Sequence, residues 1–171
     1  MLGDTARASR RNVRGERIEI AGCLRDADDV PISDAMIEIW QANADGRYPS
    51  LLDPRTDLPD DPAFVGFGRC ATDAQGRYAF RTIRPGRVPG PGDALQAPHI
   101  AVGVLSRGMP KRLVTRIYFS DSVGNDEDPV LALVPKDRRS TLIAQRKTGG
   151  NIEYRFDIVL NGERETVFFD C

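Results

Sequence analysis

Along most of the 171-residue chain, apolar residues alternate with polar ones in short runs that stop at Gly, Pro, Asn or Asp. Such period-two alternation places successive side chains on opposite faces of a strand; an amphipathic helix needs a longer repeat sustained over three turns. Ile18, Ile20, Gly22 and Leu24 alternate with Glu19, Ala21 and Cys23, and residues 36–41 (MIEIWQ) form a second such run. Residues 68–72 and 78–82 flank Asp73-Ala74-Gln75-Gly76 and predict a hairpin-type connection. Strands are expected at 99–105 and 113–119. Near the C-terminus, residues 152–160 meet 163–169 across Asn161-Gly162, which predicts a hairpin with a type I′ turn. Residues 49–67 lack a period and read as a long loop, and residues 84–98 hold too much Pro and Gly to be regular. One helix is expected at 136–146, capped by Asp137. The class is mostly β: a β-sandwich of short antiparallel strands with long loops and at most one short helix.

The length suits one domain, here residues 17–171, preceded by an Arg-rich arm at 1–16 that is flexible or ordered by a partner. Lys and Arg number 24 against 25 Asp and Glu, for a net charge of −1. That balance argues against nucleic acid or an anionic membrane as the main partner. No apolar run is long enough to span a bilayer, and no secretory signal opens the chain, so a cytoplasmic location is expected. Cys23, Cys70 and Cys171 are odd in number and form no Cys-x-x-Cys pair, which favours free thiols.

The single histidine, His99, excludes any metal site within this chain that needs two imidazoles. It shares a strand face with Ala101, Gly103 and Leu105, none of which ligates metal. Four tyrosines are candidate phenol ligands. Tyr78 and Tyr154 fit strand alternation and read as packing residues; Tyr48 follows the Asp45-Gly46 turn and is less easily explained that way. Trp40 reads as a core anchor. These residues alone supply no complete catalytic constellation.

Residues 38–48 (EIWQANADGRY), 68–80 (GRCATDAQGRYAF), 81–86 (RTIRPG), 96–108 (QAPHIAVGVLSRG) and 154–171 resemble the intradiol ring-cleaving dioxygenases. The resemblance covers about residues 17–171. It implies a dioxygenase built from two related subunits, in which a catalytic beta chain binds ferric iron through two Tyr and two His and cleaves a catechol. On the family's pattern the first tyrosine matches Tyr48, the second falls on Val88, the histidine pair falls on His99 and Ala101, and an active-site arginine falls on Gln96. The resemblance therefore implies an alpha, non-iron chain with vestigial ligand positions, no metal and no catalytic residue of its own. Its partner would be the beta chain carrying the iron, in a higher alpha–beta oligomer acting on a small aromatic substrate. Arg107 matches an alpha-chain arginine near the partner's pocket, where a guanidinium suits a substrate carboxylate; the alternative for Arg107 is a surface ion pair. The competing reading of the whole chain is a non-catalytic binding module of the transthyretin-like type.

Overall fold

The computed structural model describes residues 13–170, and the first part of the predicted arm and Cys171 lie outside the described residues. Among the described residues eleven strands are formed: β1 (Arg17–Arg25), β2 (Ala35–Trp40), β3 (Phe67–Ala71), β4 (Arg77–Ile83), β5 (Val88–Pro89), β6 (Leu95–Gln96), β7 (His99–Ser106), β8 (Leu113–Phe119), β9 (Ile143–Arg146), β10 (Glu153–Arg155) and β11 (Ile158–Val159). One layer is β3-β2-β7-β8, paired antiparallel throughout. The other is centred on β1, which pairs antiparallel with β4 on one edge and parallel with β10 and then β11 on the other. Strand β9 stitches the layers together, running parallel to β8 and antiparallel to β10. The mostly β sandwich is as expected, but the pairings of β9, β10 and β11 include parallel ones that local patterns do not announce.

Alternation fills the space between the layers. Ile18, Ile20 and Leu24 of β1, Ile37 and Ile39 of β2, Ile100, Val102 and Val104 of β7, and Ile117 and Phe119 of β8 are all buried in one cluster. Each fully buried aliphatic or aromatic side chain contributes about 1.5–3 kcal/mol relative to exposure. Tyr78 and Tyr154 are the packing residues expected. The Tyr78 hydroxyl donates to the Phe156 carbonyl at 2.6 Å, and the Tyr154 hydroxyl donates to Asp121 at 3.0 Å. Cys23 and Cys70 are buried free thiols. Val13 is buried against Phe64 and Ile83, so the end of the N-terminal segment lies on the body. Among the described residues, no helix is long and apolar enough to cross a membrane.

Three local expectations are corrected. The turn at 73–76 forms, with Asp73 Oδ1 accepting the N–H groups of Gln75 and Arg77 at 2.9 Å and Gly76 at φ +69°. The strands it joins then diverge: β3 pairs with β2 and β4 with β1, so the turn is a crossover between layers. The C-terminal hairpin is absent as a ladder. Gly162 has φ +92° but Asn161 does not reach positive φ, so the turn is not type I′; Asn161 Oδ1 instead accepts the Ala27 N–H at 2.8 Å. The returning chain meets β11 only where Thr166 bonds Val159, then leaves to bridge Val114 through Phe169. The expected helix at 136–146 is a short 3₁₀ turn, Arg139–Leu142, followed by β9, and Asp137 caps nothing. Thr141 donates its hydroxyl to the Arg138 carbonyl, and β9 gains interstrand bonds on both edges. Those tertiary bonds override helix propensity, which is a weak prior. The irregular 84–98 segment carries one small exception, the β5–β6 ladder of Val88–Pro89 with Leu95–Gln96. The 49–67 loop ends one residue early because β3 begins at Phe67.

Gly22 marks the place where β10 hands over to β11 beside β1. A Cβ there would lie 1.6 Å from the Phe156 carbonyl oxygen and 2.8 Å from the Tyr78 hydroxyl. Glycine in a strand interior is costly unless another backbone approaches this closely. Gly22→Ala is expected to destabilise the domain by at least ~3 kcal/mol, the upper range for overpacking. Thermal unfolding checks this, with a fall in Tm of at least about 6 °C expected.

Candidate functional site: a cleft on the outer sheet face

Because Ile100, Val102 and Val104 point into the core, His99 and Ala101 of β7 must face the other side of the sheet. Register then assembles a row. Trp40 of β2 is directly opposite Ala101, Ala101 is opposite Arg116 of β8, and His99 is opposite Tyr118. Above this face opens a cleft of about 570 Å³. Its floor includes Trp40, His99 and Arg116. Tyr48 comes from the turn at Asp45-Gly46, Asp53 and Arg55 from the long loop, and Val88 and Gln96 from the small β5–β6 ladder.

Local chemistry holds each wall. Asn43 Oδ1 accepts the N–H groups of Asp45 and Arg47 at 3.0 and 2.9 Å, closing the turn that delivers Tyr48. Gly46 has φ +83°, and a Cβ on it would sit 1.9 Å from the Arg87 carbonyl oxygen. That close approach sets Val88 beside Tyr48. The Tyr48 N–H donates to Asp53 Oδ2 at 2.8 Å, and Asp53 Oδ1 accepts from Arg55 Nε at 2.8 Å. The Arg55 guanidinium holds the Asp53 carboxyl far below the usual range. Burial pushes the Tyr48 phenol up despite the opposing charges of Arg116 and Arg55, so it is a neutral O–H at physiological pH.

Trp40 is not a core anchor. It is partly exposed at the end of β2 and stacks on Tyr48, with ring centroids 5.9 Å apart and planes 9° from parallel. It stands on the outward face because Ile37 and Ile39 take the inward positions. His99 is buried with Nδ1 2.8 Å from the Ala97 carbonyl oxygen. A carbonyl only accepts, so Nδ1 carries the proton and Nε2 is the free lone pair. Burial, with help from the Arg116 charge, lowers the His99 pKa to about 4. Asp128 ties the base of the site, accepting the Tyr118 hydroxyl at 3.0 Å and the Ala97 N–H at 2.7 Å.

The structure thus brings Tyr48, Val88, His99 and Gln96 to one cleft, while Ala101 sits in register between Trp40 and Arg116 on the same sheet face and is not itself among the lining residues. Arg107 is elsewhere. It follows the far end of β7, about 26 Å along the chain from His99 at the rise of a strand, and its exposed side chain lies 3.3 Å from Asp34. Sequence reasoning missed Arg116, Asp53 and Arg55. The signal for Arg116 was present: it alternates with Ile117 and Phe119 in β8, which assigns it to the face shared with Tyr118.

The donors present do not fit a four-ligand ferric site. Tyr48 and His99 remain, Val88 and Ala101 offer no lone pair, and the Arg116 charge acts on both donors. A trivalent cation would meet a fixed positive charge. Among the described residues, no group of three or more His, Cys, Asp or Glu is placed to hold a metal.

A buried neutral histidine predicts acid sensitivity. The unfolded chain protonates His99 near pH 6.5 and the folded chain only near 4, so the unfolded state binds more protons between these values. Stability from this group is complete above pH 6.5 and is lost as pH falls through 4, by roughly 3 kcal/mol in all. A folded His99→Gln variant is expected to show a flatter decline in Tm between pH 6.5 and 4.

Comparison with known proteins agrees with this architecture. The Dioxygenase_C family model, described as dioxygenase, matches residues 3–162. The chain is 43% identical to the protocatechuate 3,4-dioxygenase alpha chain of Burkholderia cepacia, covering 91% of this chain and 78% of that one. It is 39% identical to the beta chain from the same organism, over 89% of this chain and 67% of that one. Among solved structures it is similar to the dioxygenase domain of a carbohydrate-binding fusion from Streptomyces sp. SirexAA-E, with TM-score 0.68 and 25% identity over 94% of this chain and 86% of that one. Catechol 1,2-dioxygenase from Acinetobacter shares the fold at TM-score 0.69 and 24% identity, over 88% of this chain and 54% of that one. With the family model matching nearly its whole length, and relatives at this identity over most of theirs, the chain belongs to the intradiol ring-cleavage dioxygenase family.

Proposed function

We propose that this chain is the alpha, non-iron subunit of a protocatechuate 3,4-dioxygenase. Its beta-type partner would hold the ferric iron, and the complex would cleave protocatechuate with O₂ to 3-carboxy-cis,cis-muconate in the cytoplasm. The isolated chain would be inactive. The observation that carries the reading is the donor set of the cleft: Tyr48 and His99 without a second tyrosine at Val88 or a second histidine at Ala101. Identity alone does not decide, since 43% to an alpha chain and 39% to a beta chain are close.

Bound in the partner, the iron supplies activation of the catechol towards O₂. The residues of this chain do other work: they frame the partner's pocket and orient substrate. Met36 and Leu105 are cross-strand neighbours exposed on the outer face of β2 and β7, and Leu51 and Leu52 are exposed on the long loop. Exposed apolar side chains of this kind suit a covering subunit. Arg107 lies just beyond Leu105, and its side chain is 88% exposed. The ion pair with Asp34 is worth little in water, so the guanidinium is available to a carboxylate that a partner presents.

Co-expression with a beta-type chain is expected to yield a stable complex by size exclusion, with ring cleavage absent from this chain alone. In that complex, Arg107→Ala is expected to raise KM for protocatechuate roughly ten- to hundredfold, the value of a hydrogen bond to a charged group. Arg107→Lys should recover part of the loss. No association would contradict the subunit reading, and unchanged kinetics would contradict the role of Arg107.

A further inference from the structure

The cleft on this chain holds a cation that makes no direct ion pair among the described residues. Arg116 is partly buried, and its partners are neutral: Gln96 Oε1 at 2.6 Å, the Tyr118 hydroxyl at 3.4 Å and the face of Phe169 at 5.9 Å. Both bonds use one terminal nitrogen, so Nε and the other terminal nitrogen keep their N–H groups uncommitted among the described residues. The nearby carboxylates are engaged elsewhere. Asp53 is held by Arg55 and the Tyr48 N–H, Glu127 reaches Arg87, and Asp128 accepts the Tyr118 hydroxyl and the N–H groups of Ala97, Val130 and Leu131. The Asp53–Arg55 pair cancels, and the buried Asp128 carboxylate is linked to Arg116 only through the Tyr118 hydroxyl. A partly desolvated guanidinium with no direct ion pair is a costly group to keep. Beside apolar walls its field is far stronger than in open water.

Those walls are flat and apolar. The stacked Trp40–Tyr48 pair faces the same space as Val88, Pro89 and Pro54. The volume, about 570 Å³, is in the range of pockets that enclose small organic ligands. The Tyr48 phenol adds a neutral O–H donor.

We propose that this cleft is a metal-free binding site for a small carboxylate with a flat apolar body, its carboxylate paired with Arg116 and its body against Trp40, Tyr48 and Val88. The site lies within this chain and does not rest on the subunit reading. The guanidinium takes the role a metal cation would otherwise have, that of fixing an anionic group on the sheet face, and it does so bidentately. No bond is made or broken there.

Trp40 is the single tryptophan of the chain and borders the cleft, so its fluorescence reports occupancy. The full-length chain would be titrated with benzoate, with the neutral isostere benzamide, and with acetate, which lacks the flat body. A saturable response to benzoate, at least tenfold tighter than to either control, is expected. Arg116→Gln should weaken benzoate tenfold or more while leaving benzamide unchanged, and Arg116→Lys should fall between. Leu52→Glu, at an exposed position on the cleft's rim that does not bear on folding, should also weaken benzoate by adding a like charge. Equal binding of benzoate and benzamide, no saturable response, or benzoate affinity indifferent to both Arg116→Gln and Leu52→Glu would overturn the proposal.

Discussion

The two-residue period of β7 is the constraint on which both halves of the molecule depend. Ile100, Val102 and Val104 must enter the core, so His99 and Ala101 must leave it. The antiparallel register with β2 and β8 then sets Trp40 and Arg116 on either side of Ala101. A one-residue slip would turn the apolar set outward and bury His99, Ala101 and Arg116 in its place. The cleft is therefore a consequence of core packing, and the loops only roof it. The close approach of Gly46 to the Arg87 carbonyl holds the segment before Tyr48 against the segment before Val88.

Electrostatics decide what that cleft can hold. Burial keeps Tyr48 and His99 neutral, and it keeps Tyr118 protonated well above neutral pH. Arg116 then has no direct ion pair among the described residues, and Asp128 is linked to it only through the Tyr118 hydroxyl. In a four-ligand iron centre the anionic donors surround a central cation. Here the cation is covalently part of the chain, tethered to β8 and steered by Gln96, whose own amide is pinned to the Pro89 carbonyl at 2.7 Å. On the proposal above, a guanidinium fixed in this way favours binding of an anion.

Much of this was legible in the sequence, and the limits have physical causes. Strands β1, β2, β7 and β8 were readable because each buries one face, which enforces alternation. What local pattern could not convey was pairing. The Asp73–Gly76 turn is tight in either topology, and only the remote partners β2 and β1 make it a crossover. Asn161-Gly162 failed as a hairpin because parallel pairing with β1 outcompeted the returning tail, leaving Asn161 to bond Ala27. Residues 143–146 became a strand because two edges were open to receive it. At the site, family motifs single out Tyr48, Val88, His99 and Ala101, of which the first three line the cleft, while Trp40 was assigned to the wrong face. Arg116 was overlooked because a lone arginine in a strand carries no motif; its meaning comes from its neighbours across the sheet.

The central claim is that this chain keeps the family's fold while its cleft offers Tyr48 and His99 without a complete set of iron ligands. Quantifying iron in the purified complex with a beta-type partner tests it most directly. The account predicts one ferric ion per alpha–beta pair, with none retained by this chain after the subunits are separated. Two ions per pair, or iron held stoichiometrically by this chain with a tyrosinate absorption band, would contradict it.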